Sequence, residues 1–369
     1  METRFELAEW SALFHEADIL GRNVSTVSAS SRAMTTIVDP TVRRALEKPD
    51  QTDSNGKDSS DPMGPGVAAV IVAFQPVAAQ LNRLIGVLAR DCRVVYVMDN
   101  GGGRDAVADT LRTHDTVRVV EMGGNEGIGQ ALTLGFQLAK AAGVKYVTTF
   151  DQDSEPQLGQ TPRLVSAMER LISSGVRVAA VGPRIVDVRN ERQFEYPFMR
   201  RTSGWPTAVK CASGSEYVET DCLITSGCLI ALAAYEVVGG FDSRLFVDYT
   251  DTEWCFRARA SGYRLYGICA VTMCHELGTG VSSNILGMTV LGHSPIRRYY
   301  YARNTVRLLK LWHVTLGWKG RMLGGLIARV LLLPAATKFN TGWTQEWLML
   351  ARGIVDGIVG VGGAYRNKQ

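Results

Sequence analysis

Apolar runs and polar breaks alternate through the middle of this chain at the spacing of βαβ units. Val67–Phe74 is continuously apolar and predicts a buried strand. Val77–Ala89 places its apolar residues at helical spacing. Arg93–Met98 predicts a second strand, stopped by Asp99-Asn-Gly-Gly-Gly103, and Val117–Glu121 a short third one. Gly127–Ala142 then reads as a helix, Tyr146–Phe150 as a strand, Thr161–Ser174 as a helix and Val176–Val181 as a strand. Further on, an apolar run over Cys222–Ala234 is broken by Ser226-Gly227. An acidic segment with a helix follows over Asp248–Gly262, and then a strand over Leu265–Met273. Strands alternating with helices in this way predict an α/β protein with a mostly parallel central sheet flanked by helices.

The flanks follow other patterns. Residues 1–65 read as a separate extension. Leu7–Leu20 could form one short amphipathic helix, and the polar run Pro49–Pro62 has almost nothing to bury, so it reads as a flexible linker. The first residues lack the basic start and apolar block of a signal peptide, so export is not expected. From Tyr299 onward the chain is helical and apolar, with its strongest blocks at Trp318–Phe339 and Trp347–Ile358. Arg329 and Pro334 interrupt the apolar part of the first block, Met322–Ala336, and Met322–Thr337 falls short of the roughly 20 apolar residues of a spanning helix. Its basic flanks and Trp residues suit an interfacial amphipathic helix, and a core helix packed on the sheet suits them equally.

Composition refines this picture little. Of the 369 residues, 46% are hydrophobic and 21% charged, which supplies a sizeable core. The formal charge of +4 is small for this length and does not point to nucleic acid. The seven cysteines form no C-x-x-C pair and lie mostly in apolar stretches. They read as small buried hydrophobes rather than as a zinc site or a disulfide frame.

The chemistry sits where strands end. In Tyr146-Val-Thr-Thr-Phe-Asp-Gln-Asp-Ser154 a buried run stops at two carboxylates one residue apart. Residues i and i+2 of an extended segment point the same way, so Asp151 and Asp153 could address one point beyond a strand end. Open α/β sheets bind ligands there, and Mg²⁺ takes a few carboxylates together with substrate phosphates. Asp99 ends another strand and suits a base or ribose; a turn built on Asp-Asn-Gly is the plain alternative. In Gly124-Asn-Glu-Gly-Ile-Gly129, glycines precede a helix, where backbone can approach a phosphate closely. Neither a Walker A loop nor a dinucleotide fingerprint is present. Phe246-Val-Asp-Tyr-Thr-Asp-Thr-Glu-Trp-Cys-Phe-Arg257 gathers Asp248, Asp251 and Glu253 before an apolar helix, a place suited to a general base. Glu253 and Arg257 are spaced for an i,i+4 ion pair. His275 follows a strand end beside Glu276.

Taken in order, Ala73-Phe74, Met98-Asp99-Asn100, Asn125–Gly129, Asp151-Gln-Asp153, Ser226-Gly-Cys228, Gly239–Asp242, Asp248–Arg257 and His275 resemble glycosyltransferase family 2, the inverting GT-A enzymes. Phe150–Ser154 and Val247–Arg259 are similar to bacterial rhamnosyltransferases. The resemblance spans roughly residues 67–310. It implies a GT-A catalytic domain over 66–298 and a helical, amphipathic region over 299–369 in contact with a membrane. Phe74, Asp99, Asn125, Gly127 and Asp151 would bind a nucleotide-sugar donor, dTDP-L-rhamnose. Asp153 and His275 would hold Mg²⁺ or Mn²⁺. Asp251 would be the general base, supported by Glu253 and Arg257. The commoner form of the family has Glu-Asp where Thr250-Asp251 stands here, which keeps Asp248 as a rival base. The acceptor implied is a saccharide or lipid-linked saccharide at the cytoplasmic face of a bacterial plasma membrane, in surface polysaccharide synthesis. Two other classes meet the same residues: a metal-dependent nucleotidyltransferase or phosphohydrolase, and an inactive membrane scaffold with a transferase fold.

Overall fold

The computed structural model describes residues 66–107, 110, 114–187, 194–274, 283–285, 288–290, 294–336 and 343–366. The extension expected over residues 1–65, with its linker, and the metal candidate His275 lie outside the described residues.

Strand β1 (Val67–Ala73) is buried along its whole length, as a continuous apolar run in a sheet covered on both faces should be. Helix α1 (Ala78–Asp91) buries Leu81, Leu84, Ile85 and Leu88, one stripe of its surface. Next come β2 (Val94–Asp99), the short helix α2 (Gly103–Ala106), β3 (Val117–Glu121), α3 (Ile128–Ala141) and β4 (Tyr146–Asp151). Helix α3 crosses β1 at Gly135, where a Cβ would stand 2.5 Å from a Val70 methyl. Helix α4 (Gln160–Ser173) then leads to β5 (Val178–Asp187).

The expected end of that strand at Val181 is corrected: β5 continues through Gly182-Pro183, a pair that reads as a break in sequence. The structure also adds β6 (Phe194–Glu195), β7 (Phe198–Thr202), β8 (Trp205–Val209) and β9 (Tyr217–Thr220), which the apolar pattern did not predict. Between β7 and β8, Ser203 and Gly204 take φ of 49° and 93°. Left-handed residues at both positions match the twist of a two-residue hairpin.

The run Cys222–Ala234 divides into a turn, strand β10 (Cys228–Ala231) and helix α5 (Leu232–Val238). A 3-10 turn (Ser243–Leu245) precedes α6 (Thr250–Ala260), so Asp248 lies just before the helix rather than in it. Then follow β11 (Arg264–Cys274), β12 (Ser283–Ile285), β13 (Met288–Val290), α7 (Pro295–Leu309), α8 (Leu316–Ala336) and α9 (Trp343–Val359).

The main sheet runs β3-β2-β1-β4-β10-β5-β11-β9, with β6 on β5. Neighbours β3-β2-β1-β4 are parallel, and so are β5 and β11. Strand β10 enters antiparallel between β4 and β5. At Pro183, opposite Ile268, the β5–β11 register shifts, the kind of irregularity where a proline is tolerated in a sheet. This is the mostly parallel sheet flanked by helices that the sequence predicts.

Beside the sheet, Phe136 stacks on Tyr235 at 4.2 Å between ring centres, and Phe241 and Trp254 complete the cluster. Trp254 donates its indole N–H to Gly239 O at 2.9 Å, so its one polar atom is satisfied inside the core. That cluster anchors α6.

The C-terminal helices are part of the packed body and also expose apolar surface. Gly353 and Gly357 of α9 let it lie against the backbone of Tyr299 and Arg303 on α7. Trp318, Met322 and Leu326 of α8 are buried, whereas Leu316, Leu323, Ile327 and Leu331 face outward. Among the described residues, no helix is long and apolar enough to cross a membrane.

The cysteine expectation holds for Cys92, Cys222, Cys228 and Cys255, which are buried and free, while free Cys274 is half-buried. It is corrected for Cys211 and Cys269, which form a disulfide with Cα atoms 5.6 Å apart. Antiparallel pairing of β9 with β11 brings the segments that carry them side by side.

Candidate active site

The carboxyl ends of β1, β2 and β4 lie in register, with Ala73 opposite Asp99 and Val72 opposite Asp151. Asp99 is buried and takes the turn role. Its Oδ1 accepts the N–H groups of Gly101 (2.9 Å) and Gly103 (2.6 Å), and its Oδ2 accepts that of Arg104 (2.9 Å). A Cβ on Gly103 would stand 3.1 Å from Oδ1, so a larger residue would make the carboxylate give by a few tenths of an ångström. Asn100 continues the edge: its Oδ1 accepts the Glu126 N–H at 2.8 Å, and its Nδ2 donates to Asn125 Oδ1 at 3.1 Å. Asn125 Oδ1 also accepts the Gly127 N–H at 3.1 Å.

Gly127 has φ 85°, and a Cβ on it would lie 2.6 Å from the Phe246 ring. The Ile128 N–H, at the start of α3, is donated to Phe246 O at 2.7 Å. The close approach that calls for glycine is therefore to the chain's own Phe246, not to open space for a phosphate.

At the D-x-D, the middle residue performs a task that sequence reasoning missed. Gln152 Oε1 accepts the Phe74 N–H at 2.7 Å, and Gln152 Nε2 donates to Phe74 O at 3.1 Å. A side-chain amide thus copies a strand pair and fixes Phe74 beside β4. Asp151 is buried and accepts a hydrogen bond from the Ser226 hydroxyl. Asp153 is only half-buried, yet its Oδ1 is shielded and makes no hydrogen bond. A shielded carboxylate oxygen without a partner is costly unless something binds it. It suits a hard cation whose other positions are filled by phosphate oxygens and water. Among the described residues, no group of three His, Cys, Asp or Glu side chains gathers to hold a metal unaided.

Asp251 stands in the first turn of α6, where a helix N-terminus favours an anion. Its Oδ2 accepts the Thr225 N–H at 3.0 Å, and its Oδ1 accepts the Thr252 N–H at 2.5 Å and the Thr252 hydroxyl at 3.1 Å. The turn Thr225-Ser226 therefore touches both acidic centres. Gly227 lets it close: φ is 76°, its N–H reaches Thr149 O at 2.8 Å, and a Cβ would crowd Pro183 and Met273.

Asp248 is placed differently. It has φ 57°, is buried, and pairs through Oδ1 with Arg297 at 3.1 Å. Burial holds its carboxyl above the usual aspartate range, against the pull of Arg297. Phe246 and Tyr249 are also left-handed, at φ 66° each. Such a backbone needs support from outside. Asn304 supplies it by donating to Leu245 O (2.9 Å), Val247 O (2.5 Å) and Asp248 O (3.0 Å). Fully buried Arg303 donates to Leu245 O (2.7 Å) and Arg244 O (3.1 Å). The basic, aromatic segment of α7 thus builds the loop that delivers Asp251, a role with no sequence signal beyond buried polar residues among aromatics.

Glu253 and Arg257 form the expected pair, bidentate at 2.8 Å in both contacts. Arg257 also donates to Val238 O and Gly240 O, and His313 Nε2 lies 3.0 Å from Glu253 Oε1. Burial alone would raise the Glu253 pKa, but His313 and Arg257 hold it below the ordinary value.

Residues 69–216 match the family description "Glycosyl transferase family 2". The chain is 30% identical over 307 residues to the dTDP-rhamnosyl transferase RfbF of Shigella flexneri, a likeness covering 82% of this chain and 99% of that protein. Among solved structures it is similar to S. aureus TarS 1-349 in complex with UDP-GlcNAc, at 12% identity and a TM-score of 0.48, over 79% of this chain and 81% of that one. It is also similar to GalNAc-T7 with UDP, GalNAc and Mn2+, at 14% identity and a TM-score of 0.47, over 70% of this chain and 54% of that one. The family resemblance carried by the strand-end residues is borne out: the chain belongs to glycosyl transferase family 2.

Proposed function

We propose that this glycosyltransferase moves L-rhamnose from dTDP-L-rhamnose, with inversion, to a hydroxyl of a saccharide or lipid-linked saccharide in bacterial surface polysaccharide synthesis. The observation that carries the mechanism is the turn Thr225-Ser226, which binds Asp251 with one residue and Asp151 with the next. Choice of the sugar rests on the likeness to the Shigella flexneri rhamnosyl transferase.

In this reading the donor lies across the ends of β1, β2 and β4. Phe74, Asp99 and Asn125 flank its nucleoside, and Asp151 faces its sugar. Asp251 accepts the proton of the acceptor hydroxyl while that oxygen attacks the anomeric carbon. The new C–O bond forms on the face opposite the departing dTDP, whose bond to the anomeric carbon breaks. Holding both reactants in line supplies much of the rate. The unpartnered Asp153 oxygen, with His275, would hold Mg²⁺ or Mn²⁺. When bound, the ion supplies positive charge that stabilises the diphosphate leaving group. Glu253, Arg257 and His313 keep α6 in place beneath Asp251. The outward apolar side of α8, next to Lys319, would rest on the cytoplasmic face of the plasma membrane and meet a lipid-linked acceptor.

The test is incubation with a panel of nucleotide sugars, with and without divalent cations, in the presence of a rhamnosyl acceptor. Expected are release of dTDP from dTDP-L-rhamnose and a product of inverted anomeric configuration. Pyrophosphate release would select nucleotidyl transfer instead, and turnover of another sugar nucleotide would discard rhamnose.

A further inference from the structure

A cavity of about 540 Å³ opens between the C-terminal half of α6, the edge strand β9 and the α7–α8 connection. That volume falls inside the roughly 300–1,000 Å³ range of small-molecule sites. Its lining differs from that of the strand-end site. The floor is aromatic, with Trp318 packed at 4.9 Å on the Phe256 ring. Trp318 donates its indole N–H to Asp221 Oδ2 at 2.7 Å, and Arg259 pairs with Asp221 at 3.1 Å and with Glu219 at 3.3 Å. At the mouth stands Trp312, 82% exposed. Its flat indole face is open to a ligand in the cavity.

We propose that this cavity binds a pyranose segment of the acceptor saccharide, apart from the transfer site. Trp312 would supply a flat apolar platform for a sugar ring. The Arg259 guanidinium and the Glu219 and Asp221 carboxylates would supply fixed donors and acceptors for hydroxyl groups. The Arg259 guanidinium is paired with both carboxylates, while Arg201 and Arg264 also line the cavity, so three guanidinium groups face two carboxylates and phosphate is the competitor to test. Helix α6 joins the two places: Asp251 lies in its first turn and Arg259 near its end, eight positions on, or about 12 Å along the axis. A chain of a few sugars seated in the cavity would stay tethered close to the base between transfers and raise the local acceptor concentration. The inference rests on the proposed function, because it takes the acceptor to be an extended saccharide.

The experiment is calorimetric titration of the full chain with an α-linked rhamnotetraose, and separately with dTDP. Expected is tetraose binding that falls by about tenfold or more in Trp312→Ala, with dTDP binding unchanged. Arg259→Lys, which keeps the charge but loses the planar fork, is expected to weaken the tetraose as well. Equal tetraose affinity in the wild type and both variants would overturn the site, as would no tetraose binding at all. Displacement of the tetraose by equimolar inorganic phosphate would overturn the saccharide assignment. Binding is read without transfer, so the two readings fail separately. A chain that turns over dTDP-L-rhamnose but ignores the tetraose overturns this inference alone. A chain that binds the tetraose through Trp312 but turns over no dTDP-L-rhamnose supports the site and overturns only the proposed donor.

Discussion

Asp151 and Asp251 are held by consecutive residues: the Ser226 hydroxyl binds the first and the Thr225 backbone N–H binds the second. Any movement of this turn is therefore felt by both carboxylates at once. Asp251→Asn keeps the shape and removes the basic group. Turnover is expected to fall by about a hundredfold to ten-thousandfold, the usual contribution of a general base, with dTDP binding close to wild type. Rates of nucleoside diphosphate release and a dTDP titration check the two parts, and a variant with wild-type turnover sinks the assignment.

Ser226→Ala tests the turn itself. It leaves Asp151 buried without its hydroxyl donor, a loss of about 1.5–3 kcal/mol for a bond to a charged group. The expected result is a lower kcat/KM for the donor together with a melting temperature lowered by a few degrees. Unaltered donor kinetics would show that Ser226 only fills space.

Asp153 carries the metal expectation. Asp153→Ala should remove the dependence of dTDP binding on Mg²⁺ or Mn²⁺ while leaving the fold intact, since Oδ1 has no protein partner to lose. A metal titration curve identical to the wild type would count against this residue.

Asn304 makes a stability prediction. Its amide satisfies three carbonyls of a loop containing residues at positive φ. Asn304→Ala is expected to lower stability by roughly 2–3 kcal/mol, about one for each of its two N–H donors and one for the bond its Oδ1 accepts from Arg303 Nε, and to reduce turnover through Asp251. Urea unfolding and kinetics together decide it; loss of activity at unchanged stability would point to direct contact with substrate.

Glu253 and Asp248 give pH effects of opposite sign. Despite burial, His313 and Arg257 hold Glu253 below the ordinary 4.5. A depressed folded pKa means stability that is present above the unfolded pKa and fades as pH falls through the folded one. Acid unfolding should therefore include a Glu253 step below about pH 4.5, absent in Glu253→Gln, which is also less stable at neutral pH. Burial raises Asp248 above its ordinary 3.8. Its contribution is greatest below the unfolded pKa and is lost as pH rises through the folded value. Guanidinium melts across pH 3–7 would separate the two.

The parallel half of the sheet was legible because its strands are apolar runs with sharp polar stops, and Asp99 and Asp151 mark two of those stops. Less could be read where the signal is not periodic. The continuation of β5 past Val181 hides behind Gly182-Pro183, and the β7–β8 hairpin has too little alternation over its short strands to stand out. The Glu253–Arg257 pair was visible from spacing and Asp251 was singled out by the family resemblance, whereas Gln152, Thr225, Ser226 and Asn304 act through contacts distant in sequence. Gly127 shows the converse. Its need for glycine was readable, but the neighbour that imposes it, Phe246, lies far along the chain. Trp312 carried no signal until the fold placed it beside Asp221 and Arg259.

The position of β10 bears on how the protein is assembled. It fills the gap between β4 and β5, and the turn leading into it braces both acidic centres. A nascent chain that has emerged only through β9 has the donor half of the sheet but no strand to close the β4 edge. Such an open edge invites pairing with other chains. Since closure requires contacts distant in sequence, it is also a slow kind of event. The Thr225-Ser226 brace therefore comes into being together with β10, before Asp251 has been added, and shortened versions ending before Ala231 should be insoluble rather than merely inactive.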